Sequence, residues 1–418
     1  MKTRNILPRA VAVSLLVSAG SAVAGQPLFV GEIASPTASN RAALQSIAAR
    51  PESFNTRAMR ANPAVVSAST QEIQLDLGHR RVNAVLSDAR AVDEGGLVWV
   101  GRIKETTRAR SGSLRETAQD AANTATLVRR DGTVTGNVRV DGRLFRIRPL
   151  PGGGHAVIEV DESRMPADHP ADYADLPRFD MTASNTTSGG FTTMAISPGT
   201  TATIRVMVVA TNAAVNAYGG NMRSLMDLAI SESNQGYANS NVGINLVLAG
   251  YYTTSYTEVG MSTDLSRFRG TSDGYMDGVH SLRNQNAADV VMLIGNQGSS
   301  CGLASGIGST ASTAFATTYW NCATGYYSFA HEIGHLQSAR HDPAADPSTT
   351  PYAYGHGYRA PNNAWRTIMA YACTGGCPRL NYWSNPDKTY NGVAMGTTTQ
   401  SHNQRVLVNT KATMAGFR

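Results

Sequence analysis

The stretch HEIGHLQSARHD, residues 331–342, constrains this chain more than any other. His331 and His335 are four positions apart, so on a helix they share one face and aim their imidazoles at one point. Two neutral nitrogens at that spacing suit zinc. The flanking Ser-Phe-Ala and the Ile-Gly pair between the histidines give the segment the apolar, small-residue character of a buried helix. His341 follows six residues after His335, off that face, so the helix must end near Ser338 for His341 to return as a third ligand. Three protein ligands leave one position open, which a catalytic site needs and a structural site lacks. Glu332 can then lean over the metal without ligating it, as general base toward water and later as acid toward the leaving amine. With nine histidines in 418 residues, a chance HExxH is expected in about one such chain in a hundred.

The chain start reads as a secretory signal over residues 1–24. Lys2, Arg4 and Arg9 form a positive leader, AVAVSLLVSAG an apolar core, and Ala22-Val23-Ala24 a small-residue cleavage site. That run is too short and too interrupted to span a bilayer, with an uncleaved anchor as the competing reading, and no later segment reaches about twenty apolar residues. The expectation is a secreted protein, extracellular or periplasmic, with no membrane partner after cleavage. The formal charge of +6 shrinks to +2 from residue 190 onward, 13 Lys and Arg against 11 Asp and Glu, with no basic run. Nucleic acid is therefore not an expected partner. The four cysteines, Cys301, Cys322, Cys373 and Cys377, all lie in the last third. An even count in an exported chain favours disulfides. Cys373 and Cys377 enclose only TGG and read as a local clasp, which would leave Cys301 for Cys322; a thiolate metal site is the competing use.

Residues 25–180 carry short β-branched runs (LVWVGRI, GTVTGNVRVDGRLFRIRPL, HAVIEVD) divided by Asp-Gly and Gly-Gly turn signals, the pattern of hairpins in a small β-rich domain. No cysteine and no cluster of metal ligands is read there. Residues 182–201, TASNTTSGGFTTMAISPGTT, are Ser/Thr/Gly-rich and uncharged, as an exposed linker is. This divides the chain into residues 25–190, linker included, and residues 191–418. Beyond it, TIRVMVVAT, INLVLAGYY and ADVVMLIG read as buried strands, while Met222, Leu225, Met226, Ala229 and Ile230 recur at helical spacing as core. The fold class is α/β (α+β): a mixed twisted sheet with an active-site helix, preceded by the β-rich domain.

Downstream, RTIMAY at 366–371 offers Met369 as an apolar floor beneath the three imidazoles. HExxHxxxxxH followed by such a methionine turn resembles the metzincin zinc endopeptidases. Asp342 directly after His341 is similar to the reprolysin-like branch. Met369-Ala370-Tyr371 resembles the Met-x-Tyr of astacins and serralysins, which implies Tyr371 as an extra, displaceable ligand or a transition-state donor. CGLASGIGS resembles the edge strand on which these enzymes lay substrate, NYWSNPDKTYNG a segment of bacterial reprolysin-like enzymes, and GTVTGNVRVDGRLFRIRPL their propeptides. HEIGHLQSARHD as a whole is similar to the peptidyl-Asp metalloendopeptidases, exported bacterial enzymes that cut on the amino side of acidic residues.

The resemblance implies a secreted zymogen whose substrates are proteins or peptides and whose propeptide, 25–190, is its inhibitor. One zinc ion held by His331, His335 and His341 would work with Glu332, and substrate would add as an extended strand beside residues 303–308. Acidic specificity calls for a cation near the methionine turn: Arg379, Arg366 or Lys388, each otherwise a solvated surface charge. No cysteine precedes Cys301, so silencing falls to a carboxylate such as Asp180 or to steric blockage. Ser338 stands where the clan has a glycine, at a cost of about 1 kcal/mol if the backbone turns left-handed there. His356 and His402 read as loop or surface histidines. Calcium is left open, although no carboxylate-rich loop of the right spacing is visible. The competing readings are a broad-specificity metzincin, a zinc hydrolase of non-peptide bonds and a catalytically silent secreted binding module.

Overall fold

The computed structural model describes residues 25–104, 120–181 and 200–418. The signal-like start and residues 182–199 of the expected linker lie outside them.

The N-terminal half is one ten-stranded, mostly antiparallel sheet. Its later strands, Gly96–Ile103, Thr124–Arg130, Thr133–Val140, Arg143–Pro149 and His155–Val160, follow the β-branched runs. Two of its hairpins turn on Asp131-Gly132 and Asp141-Gly142, with both residues of each pair at positive φ (49° and 68°, 51° and 84°). That is the turn whose twist matches paired strands, and Asp-Gly is among the pairs that adopt it readily. The sheet is larger than the small domain expected: strands such as Ser53–Ala61 and Arg81–Val92, and the helix Ala38–Ala48, carry too many charged and polar positions to stand out by alternation. One face closes over its own core of Leu75, Trp99, Leu127 and Phe145. From the other, Val128, Leu144 and Ile158 join a core shared with the C-terminal half.

The C-terminal half starts with β1 (Ala202–Thr211), α1 (Met222–Asn239) and β2 (Ile244–Thr254), followed by β3 (Val290–Gly295), β4 (Gly302–Ala304) and β5 (Phe315–Tyr319). These strands form a five-stranded sheet in the order β2-β1-β3-β5-β4. All pairs are parallel except β4 with β5, so β4 is an antiparallel edge. β3 is buried throughout, as its unbroken apolar run requires. Met222, Leu225, Met226, Ala229 and Ile230 of α1 are all buried. Helix α1 packs on β2 and also on strands of the N-terminal sheet. α2 (Ser328–Leu336) follows β5, and α3 (Asn403–Met414) ends the fold. Disulfides join Cys301 to Cys322 and Cys373 to Cys377. Among the described residues no helix is long and apolar enough to cross a membrane.

Candidate active site

The site is built on α2, and both of its ends are fixed by unusual backbone. Tyr327, just before the helix, is left-handed at φ 64°. The preceding turn is gripped from both halves: Glu232 of α1 accepts from the Gly325 amide at 2.7 Å, and Arg139 donates to the Gly325 carbonyl at 2.6 Å and to the Tyr327 hydroxyl at 3.0 Å. At the far end Ser338 has φ 73°. Its N–H donates to His335 O at 2.8 Å, and that of Ala339 donates to Gly334 O at 2.9 Å. This crossed pair is the Schellman stop, normally made with glycine. Beyond it Arg340 pairs with residues 355–357, donating to Gly355 O at 2.7 Å and accepting from the Gly357 amide at 2.9 Å. His341 is thereby carried back beneath the helix.

The three imidazoles converge. The Nε2 atoms of His331, His335 and His341 lie 3.1, 3.2 and 3.0 Å from one another. His331 Nδ1 donates to Ile368 O at 2.9 Å, and His335 Nδ1 donates to Ala339 O at 2.8 Å. A carbonyl can only accept, so each of these Nδ1 atoms carries its ring's proton and each Nε2 is bare. Burial pushes all three rings well below their usual pKa, holding them neutral. Two bare lone pairs facing each other at 3.1 Å are repulsive unless a cation lies between them, and neutral imidazoles oriented by carbonyls are a typical transition-metal donor set. The residues fit a metal. Met369 is fully buried below, and a Cβ on Gly334 would come within 3.0 Å of its sulfur. Asp342 ties the return loop to the methionine turn by accepting from the Tyr371 amide at 3.0 Å, and it pairs with Arg359 at 3.0 Å.

Glu332 is 1% exposed, and burial raises its pKa well above the carboxylate range. Its carboxylate lies under the edge strand, where a Cβ on Gly302 would collide with it. Across from it stands a residue missed in the sequence. His169 places Nε2 3.1 Å from Glu332 Oε1 and 3.2 Å from Oε2, while its Nδ1 is 3.2 Å from the Tyr371 hydroxyl. Its ring is 5.0, 5.0 and 4.6 Å from those of His331, His335 and His341. The four can supply ligand atoms within 4.8 Å of one another. The upstream segment is thus not free of clustered ligands. The residue it brings to the cluster is His169; Asp180 is exposed.

The segment around His169 lies along the edge strand. Cys301 N donates to Ala167 O at 2.8 Å, Gly302 N to Asp168 O at 3.1 Å and Ile307 N to Pro177 O at 2.9 Å. Tyr173 covers the His341 ring at 4.2 Å between centroids and donates to Asp346 at 2.9 Å. Nothing periodic marks MPADHPADY, a proline-bounded stretch with neither helical nor strand spacing. Its one signal is that His169 is the last histidine before the Ser/Thr/Gly-rich residues 182–201.

Of the three candidate cations, the structure brings two to Asp168, the neighbour of His169. Arg366 and Arg379 are 1% and 0% exposed, not solvated, and both contact Asp168. Lys388 lies half-exposed on the hairpin strand Asn385–Tyr390. His356 is buried rather than on the surface, and its Nδ1 donates to the His341 carbonyl at 2.9 Å, steadying the return loop. His402, half-buried, precedes α3.

A bare-nitrogen cluster with an adjacent buried carboxylate and an antiparallel edge strand defines a metal-dependent peptidase. The sequence profile of metallopeptidase family M12, reprolysin type, matches residues 200–384, which contain every one of those elements. Over full length the chain is 56% identical to the peptidyl-Asp metalloendopeptidase of Stenotrophomonas maltophilia (strain R551-3), across 424 residues and 100% of both chains. It is 51% identical to that of Xanthomonas campestris pv. campestris across 426 residues, again 100% of both. A Pseudomonas fragi protein of the same name is 56% identical over 190 residues, 45% of this chain and 100% of its own. The chain belongs to this family of zinc metalloendopeptidases.

Proposed function

We propose that this zinc metalloendopeptidase hydrolyses peptide bonds on the amino side of aspartate or glutamate, is exported, and is made as a zymogen with residues 25–190 as its propeptide. The preference for aspartate is carried over from the names of its relatives, and glutamate and the amino-side cut from the resemblance of HEIGHLQSARHD. Export rests on residues 1–24, and the disulfides suit an oxidising compartment. The single observation that carries the chemistry is the trio of convergent Nε2 atoms with Glu332 beside it.

His331, His335 and His341 would hold the zinc, which when bound polarises a carbonyl and makes water more acidic. Glu332, buried beside the cluster, takes the proton of the attacking water and delivers it to the amine nitrogen as the peptide bond breaks. The edge strand 302–304 aligns the substrate backbone, and the Tyr371 hydroxyl, 3.2 Å from the His169 ring, donates to the developing oxyanion. In the zymogen His169 fills the space between Glu332 and Tyr371 that a scissile peptide must enter, and its ring would offer zinc a fourth nitrogen at the position otherwise left for water, so latency comes from a histidine. Calcium has no part in this reading.

The test is a digest of an unfolded protein by the processed enzyme, with and without chelator, reading each new N-terminus by mass spectrometry. New termini beginning with Asp or Glu and lost with chelator are expected. Chelator-sensitive cuts without acidic bias would discard the specificity; no cuts from zinc-loaded, processed material would overturn the catalytic reading.

A further inference from the structure

Beside the histidine cluster lies a second buried arrangement with no part in the bond-breaking step. Arg379 Nη2 is 2.6 Å from Asp168 Oδ1, and Arg366 Nη1 is 3.6 Å from Asp168 Oδ2. The guanidiniums are held from behind. Arg366 donates to Ala370 O at 2.6 Å and to the Tyr326 hydroxyl at 2.8 Å, and Arg379 donates to Tyr326 O at 2.9 Å. The Tyr326 ring lies 4.3 Å from the Arg379 guanidinium and 5.1 Å from that of Arg366. The two arginines sit opposite each other in a parallel bridge, and the Cys373–Cys377 disulfide closes the loop between them. Among the described residues the one carboxylate that pairs with either is Asp168. It neutralises one positive charge of two.

Two fixed, desolvated guanidiniums are a strong demand for a carboxylate, because a buried charge left unpaired is costly. The residue meeting that demand is the immediate neighbour of His169, on a segment hydrogen-bonded to the edge strand at Cys301 and Gly302. One dipeptide thus fills the histidine cleft with its ring and the arginine pocket with its carboxylate. Its backbone is held by Gly302 N at 3.1 Å while its carboxylate meets Arg379 at 2.6 Å, so the depth from edge strand to guanidinium is that of a single methylene. The segment runs parallel to the edge strand, as the bridges Ala167–Ser300 and Arg178–Ile307 show. It presents a ring, not a peptide bond, to the nitrogen cluster.

We propose that Arg379, supported by Arg366, is the pocket that receives the acidic side chain following the cut, and that Asp168 occupies it in the intact chain as a built-in substitute for substrate. The inference rests on the preference for acidic residues proposed above. It makes Arg379 and Arg366 the specificity residues and the Asp168-His169 pair a two-point plug. Release of the segment empties both cavities together.

The test uses enzyme matured from the full chain and two peptides that differ only in Asp or Asn after the cleaved bond. Arg379→Gln is expected to lower the Asp-to-Asn ratio of kcat/KM about 100-fold, the scale of losing one partner of a buried charge pair, while Lys388→Gln keeps the wild-type ratio. Because Arg379→Gln removes a buried anchor and can fail to fold, a second measurement uses wild-type enzyme alone. The peptide Pro-Ala-Asp-His-Pro is expected to bind at least about tenfold more tightly by calorimetry than its Asn counterpart. Equal binding of these two peptides, or an unchanged ratio in folded Arg379→Gln, overturns the inference. A wild-type enzyme that cuts the Asp and Asn substrates equally overturns the specificity reading instead.

Discussion

The histidine cluster and the arginine pair are joined by the adjacent residues Asp168 and His169, yet they are assembled in opposite ways. The cluster is local: three ligands within eleven residues, two on one helical face and the third returned by a single left-handed residue. The pocket is distant: Tyr326 before α2, Arg366 before the methionine turn, Arg379 beyond the clasp and Asp168 from the other half of the chain. A donor set with fixed spacing leaves a signature in sequence. A pocket assembled from four separate segments leaves only residues that look like ordinary surface charges.

The first way to break this comparison is at the base. Glu332→Gln is expected to keep the metal and lose activity by about 10²- to 10⁴-fold, the range for positioned acid–base groups. Zinc content and kcat measured together check it, since loss of zinc would make Glu332 part of the donor set instead. The second acts on the pocket. Replacing Cys373 and Cys377 by serine together is expected to raise KM for Asp substrates about tenfold, with a smaller effect on kcat, because the clasp spaces the two guanidiniums. An equal fall of kcat for Asp and Asn substrates would show that the clasp serves the methionine turn.

The junction between the halves gives a pH prediction. Glu232 accepts from Gly325 N at 2.7 Å and from Asn137 Nδ2 at 2.7 Å, and burial pushes its pKa from 4.5 up to about 7. The folded chain therefore holds this proton in a range where the unfolded chain has released it. Between pH 4.5 and 7 the folded state binds more protons, so Glu232 makes stability fall as pH rises. The loss is at most about 3 kcal/mol. Urea unfolding of the intact chain at pH 5 and 7 is expected to show it, and Glu232→Gln to reduce it. The smallest effect is at the helix stop. Ser338→Gly is expected to stabilise the chain by up to about 1 kcal/mol by relieving the positive φ, read as a rise in the urea midpoint.

Much of the C-terminal half was legible. β1, β2 and β3 are continuous apolar runs, α1 shows its buried residues at helical spacing, and the turn at Ser338 follows from the need to return His341. The N-terminal sheet was legible where Asp-Gly punctuates β-branched runs and illegible where strands such as Ser53–Ala61 carry polar residues on both faces. His169 was missed for a physical reason. It sits in an extended, proline-bounded stretch whose order comes from hydrogen bonds to residues 300–307, more than a hundred positions away. Arg366 and Arg379 were found as charges near the methionine turn, but their burial could not be read, because it depends on Asp168 and Tyr326.

One upstream dipeptide is proposed to close both sites, with His169 at the cluster. X-ray absorption of the zinc-loaded protein, before and after cleavage within residues 182–199, reads this closure at the metal. Four imidazole nitrogens around zinc are expected in the intact chain and in Asp168→Asn, three after processing and three in intact His169→Ala. Three imidazoles in the intact wild-type chain, unchanged by processing or by His169→Ala, would contradict it.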